Sequence, residues 1–196
     1  HSAGLSGYYS RFANYLALTN TGTARDAEGD FVTPGSAGAL PVMQYMGVPA
    51  TLYGFEAEGK ARVAQKLLTG SDTLDLEARA DYVHGENRNT GQPLPRLSPL
   101  RLGGAVVYGA GPWGARADVT YAARQTRVPS NDTPTDAYTL LGVSITYKFK
   151  MAGTQTLVYL RGDNLTNQDA RSATSILRDI APLAGRSVKL GVRTTF

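Results

Sequence analysis

Eight stretches of the chain alternate apolar and polar residues with an interval of two, the repeat of a β-strand. The sharpest is residues 139–150, where Leu141, Val143, Ile145, Tyr147 and Phe149 oppose Ser144, Thr146, Lys148 and Lys150. In residues 51–63, Tyr53, Phe55, Ala57, Ala61 and Val63 oppose Glu56, Glu58, Lys60 and Arg62. In residues 73–83, Leu74, Leu76, Ala78, Ala80 and Tyr82 oppose Asp75, Glu77, Arg79 and Asp81. Residues 100–110 set Leu102, Val106 and Tyr108 against Arg101 and small residues. Residues 115–124 set Ala117, Val119, Tyr121 and Ala123 against Arg116, Asp118, Thr120 and Arg124. Residues 156–164 set Val158 and Leu160 against Tyr159, Arg161 and Asp163. Residues 187–196 set Val188, Leu190, Val192 and Phe196 against Lys189 and Arg193, and an earlier segment covers about residues 2–16. The pattern predicts an all-β protein of about eight antiparallel strands.

The links between segments alternate in length. Residues 64–72, 111–114 and 151–155 are short, whereas 17–50, 85–99, 125–137 and 165–186 are long and rich in Gly, Pro, Asn, Asp, Ser and Thr. One end of the sheet therefore carries turns and the other carries loops, the asymmetry of a transmembrane β-barrel. Tyr53, Tyr82, Tyr108, Tyr121, Tyr147, Phe149 and Phe196 fall near strand ends and suit an interfacial girdle. The same alternation suits a soluble antiparallel sandwich or barrel, in which the apolar face is the buried one.

Composition narrows the choice of solvent. Mean hydropathy is −0.23, and no apolar run approaches the roughly 18 residues of a transmembrane helix. A barrel hides its hydrophobicity by alternation. The chain has no cysteine, so disulfides, thiolate metal sites and thiol nucleophiles are excluded together. Net charge is +4, but Lys and Arg are scattered singly among acids and form no basic stripe, which argues against nucleic acid. No signal peptide is visible in HSAGLSGYYS, so the chain is expected to be processed or a piece of something longer.

Several motifs now carry a resemblance. YYSRFANY (residues 8–15) is followed by a long link and YGFEAEGKARV (residues 53–63), with Gly54 and Glu56 in a G-x-E strand. LRGDNLTNQDAR (residues 160–171) holds Asn164, Leu165 and Asn167 in an NL-x-N pattern, and Pro182, Gly185 and Arg186 form P-x-x-GR ahead of the last strand. With the aromatic Phe196 at the chain end, these features resemble the C-terminal part of the barrel of TonB-dependent outer-membrane receptors. YYSRFANYL and LEARADYVHGENR look closest to the branch that imports zinc and related metals.

The resemblance implies that residues 1–196 are the last strands of a 22-stranded barrel, with the plug domain outside this chain. It implies a receptor in the bacterial outer membrane for energy-coupled uptake of a metal, metal chelate or siderophore. The expected partners are the plug, the TonB complex, the barrel-assembly machinery, which reads the terminal Phe196, and outer-membrane lipid. The alternative is a self-contained eight-stranded barrel with a structural or adhesive role, since eight strands can close. The charges expected to face the lumen are Glu56, Glu58, Lys60, Arg62, Glu77, Arg79, Arg116, Asp118, Lys148, Arg161, Asp163, Lys189 and Arg193.

Chemistry is sparse. No nucleophile elbow, zinc-protease helix, P-loop or dinucleotide fingerprint is present, so neither an enzyme nor a cofactor is expected. Asp81, His84 and Glu86 offer zinc-type donors where the third segment meets its loop. Asp81 and His84 are three apart and point to opposite faces of an extended strand, so a bend is required to gather them. Glu56 and Glu58 stand two apart like a glycosidase pair, but Lys60 and Arg62 beside them favour a charge ladder. The apolar stretch of residues 39–46, ALPVMQYM, reads as a loop packed on its neighbours, and the sequons at Asn131 and Asn164 read as chance.

Overall fold

A computed structural model describes residues 1–130, 132–151 and 153–195, and among them there are nine strands and no helix. The strands are β1 (Ser2–Arg25), β2 (Phe31–Val32), β3 (Leu40–Gln65), β4 (Thr73–Asn87), β5 (Arg101–Ala110), β6 (Trp113–Ala122), β7 (Tyr138–Met151), β8 (Thr154–Asp163) and β9 (Ser187–Thr195). They form one antiparallel sheet in the order β2-β1-β3-β4-β5-β6-β7-β8-β9. From β3 onward each strand pairs with its neighbours in sequence, as hairpin connections require. Among the described residues β1 and β9 do not pair, so the sheet is an open wall.

Six of the eight predicted segments match β4 to β9 to within a few residues. The first link is where the reading fails. Residues 17–50 are not a loop, because β1 runs on to Arg25 and β3 begins at Leu40. Ala17 pairs with Met46, Leu18 with Tyr45 and Thr19 with Gln44, making a hairpin taller than its neighbours, with β2 against its tip. The stretch of residues 39–46 lies almost wholly in β3, and Tyr45 and Met46 are exposed. The Gly and Pro content of residues 17–50 suggests a loop, but register shifts between Phe12 and Tyr15 and between Asn20 and Ala24 fall beside Pro49 and Pro41 and let the pairing continue.

The register separates two faces. The face carrying Lys60 and Glu77, which are cross-strand partners, is called inward here, and the opposite face outward. Outward rows include Leu76–Val106–Ala117–Val143, made of apolar residues pair by pair. A single layer has little interior, so its small core lies at the loop end. There Ala17, Ala50 and Leu94 are buried, with Tyr15, Val48, Leu52 and Leu97 packed around them. Residues 88–100 fold back over the inward face to supply Leu94 and Leu97.

The NL-x-N and P-x-x-GR patterns have local causes. Asn164 and Asn167 both take left-handed backbone, with φ of 47° and 52°, which asparagine tolerates better than most residues. The buried Asn164 amide donates to the carbonyls of Gln168 and Ala184, both at 3.0 Å. Asn167 Oδ1 accepts the Arg186 amide N–H at 3.0 Å, and a Cβ on Gly185 would stand 3.1 Å from that oxygen. The asparagines thus pin residues 184–186 and deliver the chain into β9.

Candidate functional site

The inward face is built from cross-strand rows of charge. Glu56 pairs with Asp81, Glu58 with Arg79, Lys60 with Glu77 and Arg62 with Asp75. Lys60 Nζ lies 3.1 Å from Glu77 Oε1, Arg62 Nε lies 2.8 Å from Asp75 Oδ1 and Arg101 Nε lies 2.9 Å from Asp81 Oδ2. Farther along, Asp163 receives Arg161 at 2.6 Å and Lys189 at 2.9 Å. Lys148 and Arg193 share a row through Leu157, and Asp118 sits opposite Ala105. All thirteen residues expected inward therefore share one face of the sheet. Eight of them, Lys60, Arg62, Glu77, Arg116, Asp118, Arg161, Asp163 and Lys189, form ion pairs, which fits a wet surface where opposite charges across strands are mildly stabilising.

Small residues in β5 let β4 reach β6. Arg116 Nη1 passes above Ala105 to Glu77 Oε2 at 2.6 Å, and Arg79 Nη2 donates to Thr120 Oγ1 at 3.0 Å above Gly103. A Cβ at Gly103 would stand 2.4 Å from Arg79 Nε. The sequence pattern places small residues on the same side as Arg101, opposite Leu102, Val106 and Tyr108, but does not reveal this consequence.

The outward face has the complementary composition. At the turn end Trp113 and Tyr147 are in contact, with ring centroids 4.6 Å apart, and Tyr147 stacks on Phe149 at 5.9 Å. At the loop end Phe55 meets Tyr82 at 6.3 Å and Tyr53 stacks on His84 at 4.5 Å. The eight intervals from Trp113 to Tyr121 span about 27 Å along β6, or about 20 Å after a barrel strand's usual tilt. That is close to the height of an outer-membrane apolar band.

The expected metal ligands are not brought together. Asp81 lies inward against Arg101. His84 lies outward between the Tyr53 ring and the Arg127 guanidinium, and Glu86 is 3.9 Å from Arg127 Nη2. Among the described residues no group of three His, Cys, Asp or Glu side chains is placed to hold a metal ion. Strand parity is the cause, since β4 continues straight through His84 to Asn87 instead of bending. Phe196 lies outside the described residues.

The rim of the inward face is made by interlocked loops that sequence reasoning missed. Arg178 is buried, 1% exposed, and donates to the carbonyls of Ala173 and Thr133 at 3.1 and 2.7 Å and to the Asp132 carboxylate. Arg96 donates to the Ser175 carbonyl at 2.5 Å and its Nε lies 4.0 Å from Asp132. Three links distant in sequence meet at these two arginines. At the opposite end Asp72 closes the β3–β4 turn, accepting from the Leu68 and Thr69 amides at 2.9 and 3.2 Å and from Tyr108 Oη at 2.9 Å. Burial pushes its carboxyl upward, but these donors, together with its own backbone N–H, outweigh burial and hold it below the usual aspartate value.

An open antiparallel wall with one apolar face, one charged face, short turns below and long loops above defines a barrel segment. The family model for the TonB dependent receptor-like β-barrel matches residues 1–165, and the chain belongs to that family. Among solved structures, the copper transporter OprC matches with a TM-score of 0.73 at 18% identity, covering 97% of this chain. The chain spans 28% of the length of that structure, and at this identity the likeness concerns fold alone. No curated protein matches the chain closely enough to count as a relative.

Proposed function

We propose that the chain is the C-terminal barrel wall of an outer-membrane receptor for TonB-coupled uptake of a metal, metal chelate or siderophore. The observation that carries this reading is the two-faced sheet. Its outward apolar band is bounded by aromatic rows near both ends, and its inward face is a ladder of paired charges. Such a wall meets hydrocarbon on one side and water on the other. Among the described residues β1 and β9 do not pair with each other, which supports a wall continued by further strands over a self-closed eight-stranded barrel.

In the whole receptor the inward face lines the lumen and meets a plug domain. The interlocked loops form the outer mouth, and the three short turns lie on the periplasmic side. Energy enters through the plug from the TonB complex of the inner membrane. The barrel wall performs no covalent chemistry, and no cofactor is required. A metal is the favoured cargo because YYSRFANYL and LEARADYVHGENR resemble the metal-importing branch of the family.

The test is uptake by the full-length receptor in cells, with radiolabelled copper, zinc and iron chelates measured with and without a functional TonB system. Accumulation of one of these that requires both the receptor and TonB is expected. Uptake that ignores TonB would overturn the coupling, and accumulation of none of them would overturn the metal assignment.

A further inference from the structure

The outward face is free of charge except at its loop end. Among the described residues, the charged side chains at outward strand positions are Arg11 and Glu86, which lie in one cross-strand row through Thr51. The row beneath is Tyr9–Tyr53–His84, and Tyr9 is 69% exposed. Two more guanidiniums converge here. Arg127, from residues 123–137, lies against His84 and 3.9 Å from Glu86. Arg88, in phase with His84 and Glu86 just beyond β4, donates to the Phe12 carbonyl at 3.0 Å, next to Arg11. Three guanidiniums against the single Glu86 carboxylate leave two positive charges in excess, and Arg11 and Arg88 are exposed.

Aromatic rings sit at the headgroup level of a bilayer, so the row above them meets the polar part of the lipid. A cation is tolerated there, because its cost on the lipid face falls to near zero at the interface. The planar guanidinium fork matches the oxygens of a phosphate. We propose that Arg11, Arg88 and Arg127, standing above Tyr9, Tyr53 and His84, bind the phosphate groups of an outer-leaflet lipid. This rests on the reading that the outward face meets a membrane.

The full-length receptor, purified in a neutral detergent, is titrated with bisphosphorylated lipid A and separately with dephosphorylated lipid A, and bound lipid is counted by native mass spectrometry. The parent is expected to prefer the phosphorylated form. Replacing Arg11→Gln, Arg88→Gln and Arg127→Gln together is expected to weaken that binding about a hundredfold, in line with the attraction of three single cations to an anionic surface. An equal loss of charge on the opposite face, Lys148→Gln, Lys150→Gln and Arg193→Gln, is expected to leave it unchanged, and heat-modifiable migration confirms that each variant is folded. Equal binding by parent and rim variant, or no preference between the two lipids, overturns the proposal. Displacement of lipid A by an equal concentration of inorganic phosphate overturns it too, as the mark of a free-anion site. A parent that takes up neither lipid overturns the membrane reading itself.

Discussion

Glu77 and Arg116 meet at 2.6 Å across a strand to which neither belongs. Glu77 is on β4, Arg116 is on β6, and Ala105 of β5 lies opposite Glu77 between them. The same geometry carries Arg79 over Gly103 to Thr120. Small inward residues on β5 therefore widen the ladder from pairs of strands to triples, which ties the wall together laterally without a second layer.

Gly103→Val tests that arrangement. Its new side chain must displace Arg79, whose Nε would lie 2.4 Å from the added Cβ. The expected cost is about 0.5–1.5 kcal/mol, the value of one hydrogen bond at a partly exposed site. In a double-mutant cycle with Thr120→Val, the Gly103 variant should abolish the coupling between Arg79 and Thr120. An undiminished coupling would mean that Arg79 does not depend on the gap at Gly103.

Asp72 predicts a pH dependence at the turn end. Its carboxyl is held below the ordinary aspartate value because the amides of Leu68, Thr69 and Asp72 itself and the Tyr108 hydroxyl outweigh burial. A depressed folded value means that the contribution is present above the unfolded value of about 3.9 and is lost as pH falls through the folded value. Urea unfolding of the folded receptor between pH 6 and pH 2 should therefore show a loss of stability that Asp72→Asn abolishes at its acid end. An identical pH profile in the variant would remove Asp72 as the titrating group.

Arg178 predicts which loops move together. It is buried and bound to Ala173, Thr133 and Asp132, while Arg96 joins residues 88–100 to the same cluster. Arg178→Ala leaves the Asp132 carboxylate without its main partner, a change that costs about 3–5 kcal/mol for buried pairs. Limited proteolysis should then cut within residues 123–137 and 164–186 much faster, while β5 to β9 stay protected. Cleavage confined to one of the two links would contradict a shared lock.

The sequence made the repeating parts of the wall legible. Where each residue's surroundings follow from parity, as in β7 with Val143 out and Ser144 in, alternation alone assigned strand and face. The tall β1–β3 hairpin was hidden because a stretch rich in Gly and Pro reads as loop, while bulges in β1 beside Pro41 and Pro49 let the pairing continue. The rim was hidden for another reason: Arg178 and Asp132 are 46 residues apart, and nothing local to either announces the other. Asp81, His84 and Glu86 looked like ligands because they are close in sequence, and an unbroken strand holds Asp81 on the other face from His84 and Glu86.

In the proposed receptor the outward face meets lipid and the inward face meets water. Spin labels placed singly at Val143, Ile145 and Val192, and at Ser144, Thr146 and Arg193, read this directly in the full-length receptor reconstituted in bilayers. The first three positions lie outward, in the rows Val143–Gly162, Ile145–Leu160 and Val158–Val192, and the second three lie inward. Collisions with oxygen, which dissolves in hydrocarbon, should dominate at the first set, and collisions with a water-soluble nickel chelate at the second. Reversed accessibilities, or oxygen and nickel contact equal on both faces, would contradict the account.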